Sequence, residues 1–189
     1  MEQITNSALL VMDMQASIVD SLPDARGFIS NAAKSIATAR KRNIPVIYVV
    51  IGFRVGGPEI SPDNKSFSSM GGREKWTPEF SEQWIKVHPA IAPQETDIIV
   101  VKRRVSAFTG SDLEVVLRGQ SIKHMVLTGI ATSGVVLSTL REAADKDYQL
   151  TVIADCCADR DEEVHRVLTT KVFPRQANVI QLEEWEKGK

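Results

Sequence analysis

Short apolar runs of strand length alternate along this chain with segments whose apolar residues recur at helical spacing. That alternation constrains the fold more than any other feature. The first run, Ala8-Leu-Leu-Val-Met12, is uninterrupted and stops at Asp13, the pattern of a strand covered on both faces. After the turn-forming Leu22-Pro-Asp24, Ile29, Ala32, Ala33, Ile36 and Ala37 fall on one helical face, and the helix ends near Asn43 and Pro45. The β-branched run Val46 to Ile51 reads as a second strand, and Asp97 to Val101 as a third that ends at Lys102. Ser111 and Glu114 have the spacing of a capping box and open the next helix. His124 to Thr128 is a fourth strand delivered into Gly129, followed by a helix from Ser133 to Asp147. Leu150 to Ala154 is a fifth strand ending at Asp155, a helix spans about Asp161 to Lys171, and Val179 to Leu182 is a sixth strand. Strands alternating with helices predict an α/β fold of three layers, αβα, around a six-stranded, mostly parallel, Rossmann-like sheet.

Residues 52–80 break the rhythm with five glycines and three prolines. They read as a long, largely irregular loop of the kind that serves as a lid or binding loop, with a short helix near Glu79–Ile85 after it. The 189 residues, without linker or repeat, predict a single domain over 1–189. Lys and Arg number 23 against 24 Asp and Glu, a net charge of −1, which gives no electrostatic case for nucleic acid or an anionic membrane surface. The opening Met1-Glu-Gln-Ile-Thr-Asn-Ser7 lacks the basic start of a signal peptide, and no uncharged apolar stretch reaches the roughly 18 residues of a membrane span. The two cysteines, Cys156 and Cys157, are adjacent and suit only a strained vicinal bridge, so they do not suggest a disulfide-built secreted protein. A cytoplasmic protein is expected.

In an open parallel sheet, ligands bind beyond the carboxyl ends of the strands, where strand order reverses. Three such ends carry chemistry: Asp13 after the first strand, Lys102 at the third, and Gly129-Ile-Ala-Thr-Ser-Gly134 leading from the fourth into a helix. A carboxylate, an ammonium and free helix-start N–H groups together suit proton or acyl transfer. Taken singly, each has an ordinary structural role: a loop cap, a solvated charge, a strand-to-helix turn. No G-x-G-x-x-G follows the first strand, and Gly129-x-x-x-x-Gly134 lacks the Lys-Ser/Thr of a phosphate loop, so nucleotide binding is a poor reading. His88, His124 and His165 are widely spaced, read as surface or packing residues, and imply no metal site. No cofactor is implied.

The runs Leu10-Val-Met-Asp13-Met-Gln15, Val101-Lys102-Arg-Arg-Val-Ser106-Ala-Phe108, Leu127-Thr-Gly129-Ile-Ala-Thr132 and Ala154-Asp155 through Asp159 resemble, in this order, the isochorismatase-like hydrolase superfamily. The resemblance implies a parallel six-stranded sheet flanked by helices. It also implies an Asp–Lys–Cys triad of the kind used by the superfamily's amidases, with Asp13 matching the Asp and Lys102 the Lys. The third position departs from the pattern: the seventh residue counted from Gly129 is Val135, which carries no nucleophile. Thr132 and Ser133 have hydroxyls, but a Ser at a helix start usually gives its oxygen to a backbone N–H.

Isochorismatases of the superfamily also work without the cysteine. By that resemblance Asp13 is a general acid and Lys102 governs its ionisation. A cis peptide is implied at Ile130–Ala131, whose turn would face substrate oxygen, and Gln15 would hold Asp13 or a water. Arg54, Arg73 and Arg104 are candidate cations for substrate carboxylates, and Phe53, Trp76, Trp84 and Phe108 either wall the pocket or fill the space beneath the loop. The leading expectation is a hydrolase that acts on a small enol ether or amide-like metabolite by Asp/Lys acid–base chemistry. The alternatives are a non-catalytic member kept as a ligand-binding or oligomeric scaffold, and an amidase with a nucleophile recruited from Ser133 or Cys156. Family resemblance also implies a homodimer or homotetramer.

Overall fold

In a computed structural model describing residues 6–188, six strands form one sheet in the order β3-β2-β1-β4-β5-β6, every pairing parallel. The strands are β1 (Ser7–Met12), β2 (Val46–Ile51), β3 (Ile98–Lys102), β4 (His124–Ile130), β5 (Gln149–Ala158) and β6 (Asn178–Ile180). The first five residues of the N-terminal signal-peptide reading lie outside the described residues. Among the described residues no helix is long and apolar enough to cross a membrane.

Side-chain alternation along the central strands builds two cores. Ala8, Leu10 and Met12 of β1 face one apolar cluster with Leu113, Leu117 and Leu140. Leu9 and Val11 face the other, with Phe28, Ile36 and Trp185. The period of two along a strand thus sends one β1 face to the Leu113–Gly119 and Leu137–Asp145 helices and the other to the Arg26–Lys41 and Leu182–Glu186 helices. These are the three layers expected. The Arg26–Lys41 helix buries Ile29, Ala32, Ile36 and Ala39 at i, i+3, i+7 and i+10, and Trp185 Nε1 donates to Ser35 O at 3.2 Å to dock the last helix on it.

The 52–80 segment is largely irregular, as expected, and carries short helical turns at Lys65–Ser68 and Arg73–Lys75. Ile51, Phe53, Ile60, Phe67 and Trp76 form an apolar cluster of their own within it. Asn64 caps the first of these turns by accepting from Ser66 N and Phe67 N, and Thr77 caps the Pro78–Trp84 helix by accepting from Phe80 N. The capping box at Ser111 and Glu114 does not form. Ser111 Oγ donates to Ala107 O at 2.6 Å and accepts from Leu113 N, while Glu114 pairs with Lys146 and Arg118.

Three strands also differ in extent, β4 running two residues past Thr128 to Ile130. β5 runs four residues past its expected end, through both cysteines to Ala158. Its register with β4 shifts between the pairs Leu127↔Val152 and Gly129↔Cys157, which absorbs the extra length. β6 ends at Ile180, and Leu182 already belongs to the following helix, where Gln181 and Glu184 form a capping box.

His124 is a buried packing residue at the start of β4, its ring nitrogens 2.9 Å from Ser7 Oγ and 2.9 Å from Thr151 Oγ1. Burial pulls its pKa below the usual histidine value, so the unfolded chain binds a proton that the folded chain refuses. Stability from this site is present above about pH 6.5 and is lost as pH falls from there through the lowered folded value. Denaturant unfolding of wild type and His124→Gln between pH 5 and 7.5 is expected to give a shallower decline towards acid in the variant.

Candidate active site

The order of the strands reverses between β1 and β4: β2 and β3 extend the sheet on one side, β5 and β6 on the other. A crevice forms beyond the carboxyl ends of strands at such a point. Met12 and Gly129 are in register there, so Asp13 and Ile130 are the next residues out on neighbouring strands. The approach is close enough that a Cβ on Gly129 would stand 2.6 Å from Met12 O and 2.9 Å from Met12 Cβ. Only glycine fits between these backbones.

Asp13 leaves β1 in the left-handed region, φ 55°, with its N–H donating to Val49 O at 2.8 Å. Lys102 ends β3, in register with Ile51 of β2, and reaches across β2 to place Nζ 2.9 Å from Asp13 Oδ2. It also donates to Arg104 O at 2.9 Å. Lys102 is 2% exposed and Asp13 7%. Burial pushes the Asp13 carboxyl above its ordinary range, and the Lys102 charge and hydrogen bond pull against it without overcoming it. Asp13 Oδ1 is buried and has no hydrogen-bond partner among the described residues. The carboxyl therefore has one oxygen held by Lys102 and one available.

The peptide bond between Ile130 and Ala131 is cis, at the position the resemblance implied. Thr132–Val136 then forms a π-helical turn before the Leu137–Asp145 helix, in place of a regular helix start at Ser133. Gly134 N and Val136 N both donate to Ala131 O, while Ser133 N donates to Asp159 Oδ2 at 2.7 Å. Ala131 is half-buried, Ile130 packs in the cluster of the Arg26–Lys41 side, and Val135, 2% exposed, packs with Leu10, Met12 and Phe108 in the opposite one.

Other candidates have different positions from those read in the sequence. Gln15 is wholly buried and its amide is occupied by main chain: Oε1 accepts from Ile51 N at 2.7 Å, and Nε2 donates to Ile51 O at 3.1 Å and Trp84 O at 2.6 Å. It holds the ends of β1 and β2 and the Pro78–Trp84 helix together rather than holding Asp13. Phe108 lies under the other layer, its ring 6.1 Å from that of Tyr148 with Lys146 Nζ 5.4 Å above it. Phe53, Trp76 and Trp84 do gather, with Trp76 edge-on to both Phe53 at 4.7 Å and Trp84 at 5.8 Å.

The arginines bind the loop together. Arg54 pairs with Glu59 at 2.5 Å, and Arg73 donates twice to Ile60 O. Arg104 donates to Glu59 O at 3.0 Å and lies 5.5 Å from the Phe67 ring. Because Arg104 O also accepts from Lys102, this residue ties the 52–80 segment to the ammonium of the site.

The cysteines are sealed. Both are buried and free, and burial raises both thiols, that of Cys157 to about 12. His165, read in the sequence as a surface or packing residue, has Nδ1 2.8 Å from Thr132 Oγ1 at the opening of the π-turn. No local pattern signals a pairing across 33 residues.

The isochorismatase domain family matches residues 7–184. The chain belongs to the isochorismatase family. It is 32% identical over 169 residues to the uncharacterized isochorismatase family protein YwoC of Bacillus subtilis (strain 168), covering 89% of this chain and 86% of that one. It is 35% identical over 171 residues to the ureidoacrylate amidohydrolase RutB of Variovorax paradoxus (strain S110), covering 80% of this chain and 68% of that one. An isochorismatase family protein from Burkholderia thailandensis has the same fold, with a TM-score of 0.84 at 30% identity over 96% of this chain and 94% of that one. The protein is thus an isochorismatase-family hydrolase.

In this family member the Met12–Gly129 contact sets the spacing between the Asp13 end and the cis turn. Gly129→Ala is expected to destabilise the fold by about 1–3 kcal/mol, because the obstruction is backbone that cannot rotate away. Denaturant midpoints at constant m-value check this.

Proposed function

We propose that this isochorismatase-family protein hydrolyses a small enol ether or amide-like metabolite by acid–base chemistry at Asp13 and Lys102, without a covalent cysteine intermediate. The observation that carries the reading is the buried Asp13–Lys102 pair beside a turn whose nucleophile position is Val135. Burial raises the Asp13 carboxyl, the direction that favours a proton donor in an acid catalyst. In the enol-ether reaction, Asp13 delivers its proton to the enol carbon and the C–O unit becomes an oxocarbenium ion. Water adds to that cation and returns a proton to Asp13, and the hemiketal collapses to a ketone and an alcohol. Lys102 holds Oδ2 and stabilises the carboxylate formed in mid-cycle, which leaves Oδ1, without a hydrogen-bond partner among the described residues, to carry the proton.

An amide-like substrate is favoured by the similarity to a ureidoacrylate amidohydrolase. There Asp13 in its ionised form takes a proton from water as the water attacks the carbonyl, and passes it to the departing nitrogen. Neither route needs a group at position 135.

Asp13→Asn keeps an oxygen for Lys102 Nζ but cannot cycle a proton. Loss of turnover by at least about 100-fold, the usual share of one acid–base group, with a cooperative melt retained, is expected against isochorismate and a panel of ureido and carbamoyl acids. Undiminished activity in this variant would sink the reading. If the rate depends on protonated Asp13, enol-ether turnover falls as pH rises through its raised pKa, whereas amide turnover rises over the same range.

Val135→Cys supplies a thiol where the family's amidases carry one. Amide turnover raised above the native level in this variant, with an acyl thioester detectable by mass spectrometry, is the result expected of a pocket shaped for acyl transfer whose native form works without a nucleophile. The same gain with no native activity on any substrate would favour the scaffold alternative.

A further inference from the structure

The cis turn is held from outside by one stretch of chain. Two of its polar groups leave it: Ser133 N donates to Asp159 Oδ2 at 2.7 Å, and Thr132 Oγ1 lies 2.8 Å from His165 Nδ1. Asp159 directly follows the last residue of β5, and His165 sits in the Glu162–Val167 helix that begins three residues later. That helix itself runs into a second π-helical segment, Leu168–Val172. Thr132 is fully buried and is joined to Ala131, whose carbonyl accepts from both Gly134 N and Val136 N. A displacement of Thr132 therefore moves the oxygen around which the turn is organised.

We propose that His165 is a positioning residue for the reaction, fixing the Ile130–Ala131 turn against substrate through its bond to Thr132. In the tautomer protonated at Nε2, Nδ1 accepts the Thr132 hydroxyl proton and holds the side chain in one rotamer. A buried Thr hydroxyl deprived of this partner either stays unsatisfied or competes for acceptors with the backbone around it. Asp159 fixes the next residue from the same side, so Thr132 and Ser133 are anchored as a pair. Among the described residues no hydrogen bond or ion pair links Asp13 or Lys102 to this stretch, so the tether acts on the neutral half of the site. Its kinetic consequence rests on the acid–base reading above; its structural consequence does not.

Hydrogen exchange and steady-state kinetics on His165→Leu, His165→Asn and Thr132→Val provide the test. In His165→Leu the amides of Gly134 and Val136 are expected to exchange about tenfold faster, the factor that one buried hydrogen bond supplies, while the Asp13 amide is unchanged. Asn places an amide oxygen near the position of Nδ1, and His165→Asn is expected to restore most of the protection. Thr132→Val removes the same bond from its other end, so the double variant with His165→Leu should exchange no faster than either single one. On any substrate turned over in the panel, kcat falls with the exchange rate and recovers with Asn, while KM changes less. Unaltered exchange in the turn, acceleration spread evenly over the sheet, or failure of Asn to rescue overturns the proposal. If no panel substrate is turned over, the catalytic reading fails by itself and the exchange pattern still decides whether the tether exists.

Discussion

An ammonium and a carboxylate share a site almost closed to solvent at the carboxyl edge of the sheet, and the surrounding architecture makes this tolerable. Taking a lysine out of water is expensive unless an anion stands beside it, and removing one partner of such a pair typically destabilises by about 3–5 kcal/mol. Here the partners are two strands apart, so Lys102 meets Asp13 only if β1, β2 and β3 keep their register. Gln15 enforces that register by bonding both main-chain groups of Ile51, the residue opposite Lys102. Arg104 secures the other side by accepting from Lys102 with its carbonyl while its guanidinium grips Glu59.

The site has two halves of different character. The charged half comes from β1 and β3. The neutral half, the cis turn with Val135, comes from β4 and is anchored by residues after β5. They meet where Gly129 touches Met12. Val135 belongs to the neutral half, where it packs into the apolar cluster that holds Leu10, Met12 and Leu140.

The layers and the two charged residues were legible because they depend on short-range signals. Buried parallel strands are continuous β-branched runs, and strand ends are marked by the first charge. The same rule failed at Asp155, where a charge inside β5 mimics an end. Its carboxylate is satisfied by Leu182 N at 2.7 Å and its carbonyl by Asn31, which is how a polar residue stays in the strand. The 52–80 segment was opaque for another reason. Phe53, Phe67 and Trp76 pack on one another with no regular spacing, so no periodicity reveals their cluster. His165 is half-buried, as a packing residue is, but a lone histidine carries no signature of its bond to Thr132 until the fold brings the two together. Gln15 was found but assigned the wrong partner, since sequence proximity to Asp13 says nothing about which way an amide turns.

The extended β5 leaves the chain with two thiols and no thiolate. Peroxides and electrophiles attack sulfur in its ionised, accessible form, and both cysteines here are deep in the sheet with their ionisation suppressed. A relative that depends on a catalytic cysteine loses its reaction when that sulfur becomes a sulfinic acid. On the mechanism proposed above, in which a carboxyl and an amine do the chemistry, turnover does not depend on a thiolate and is not lost by that route.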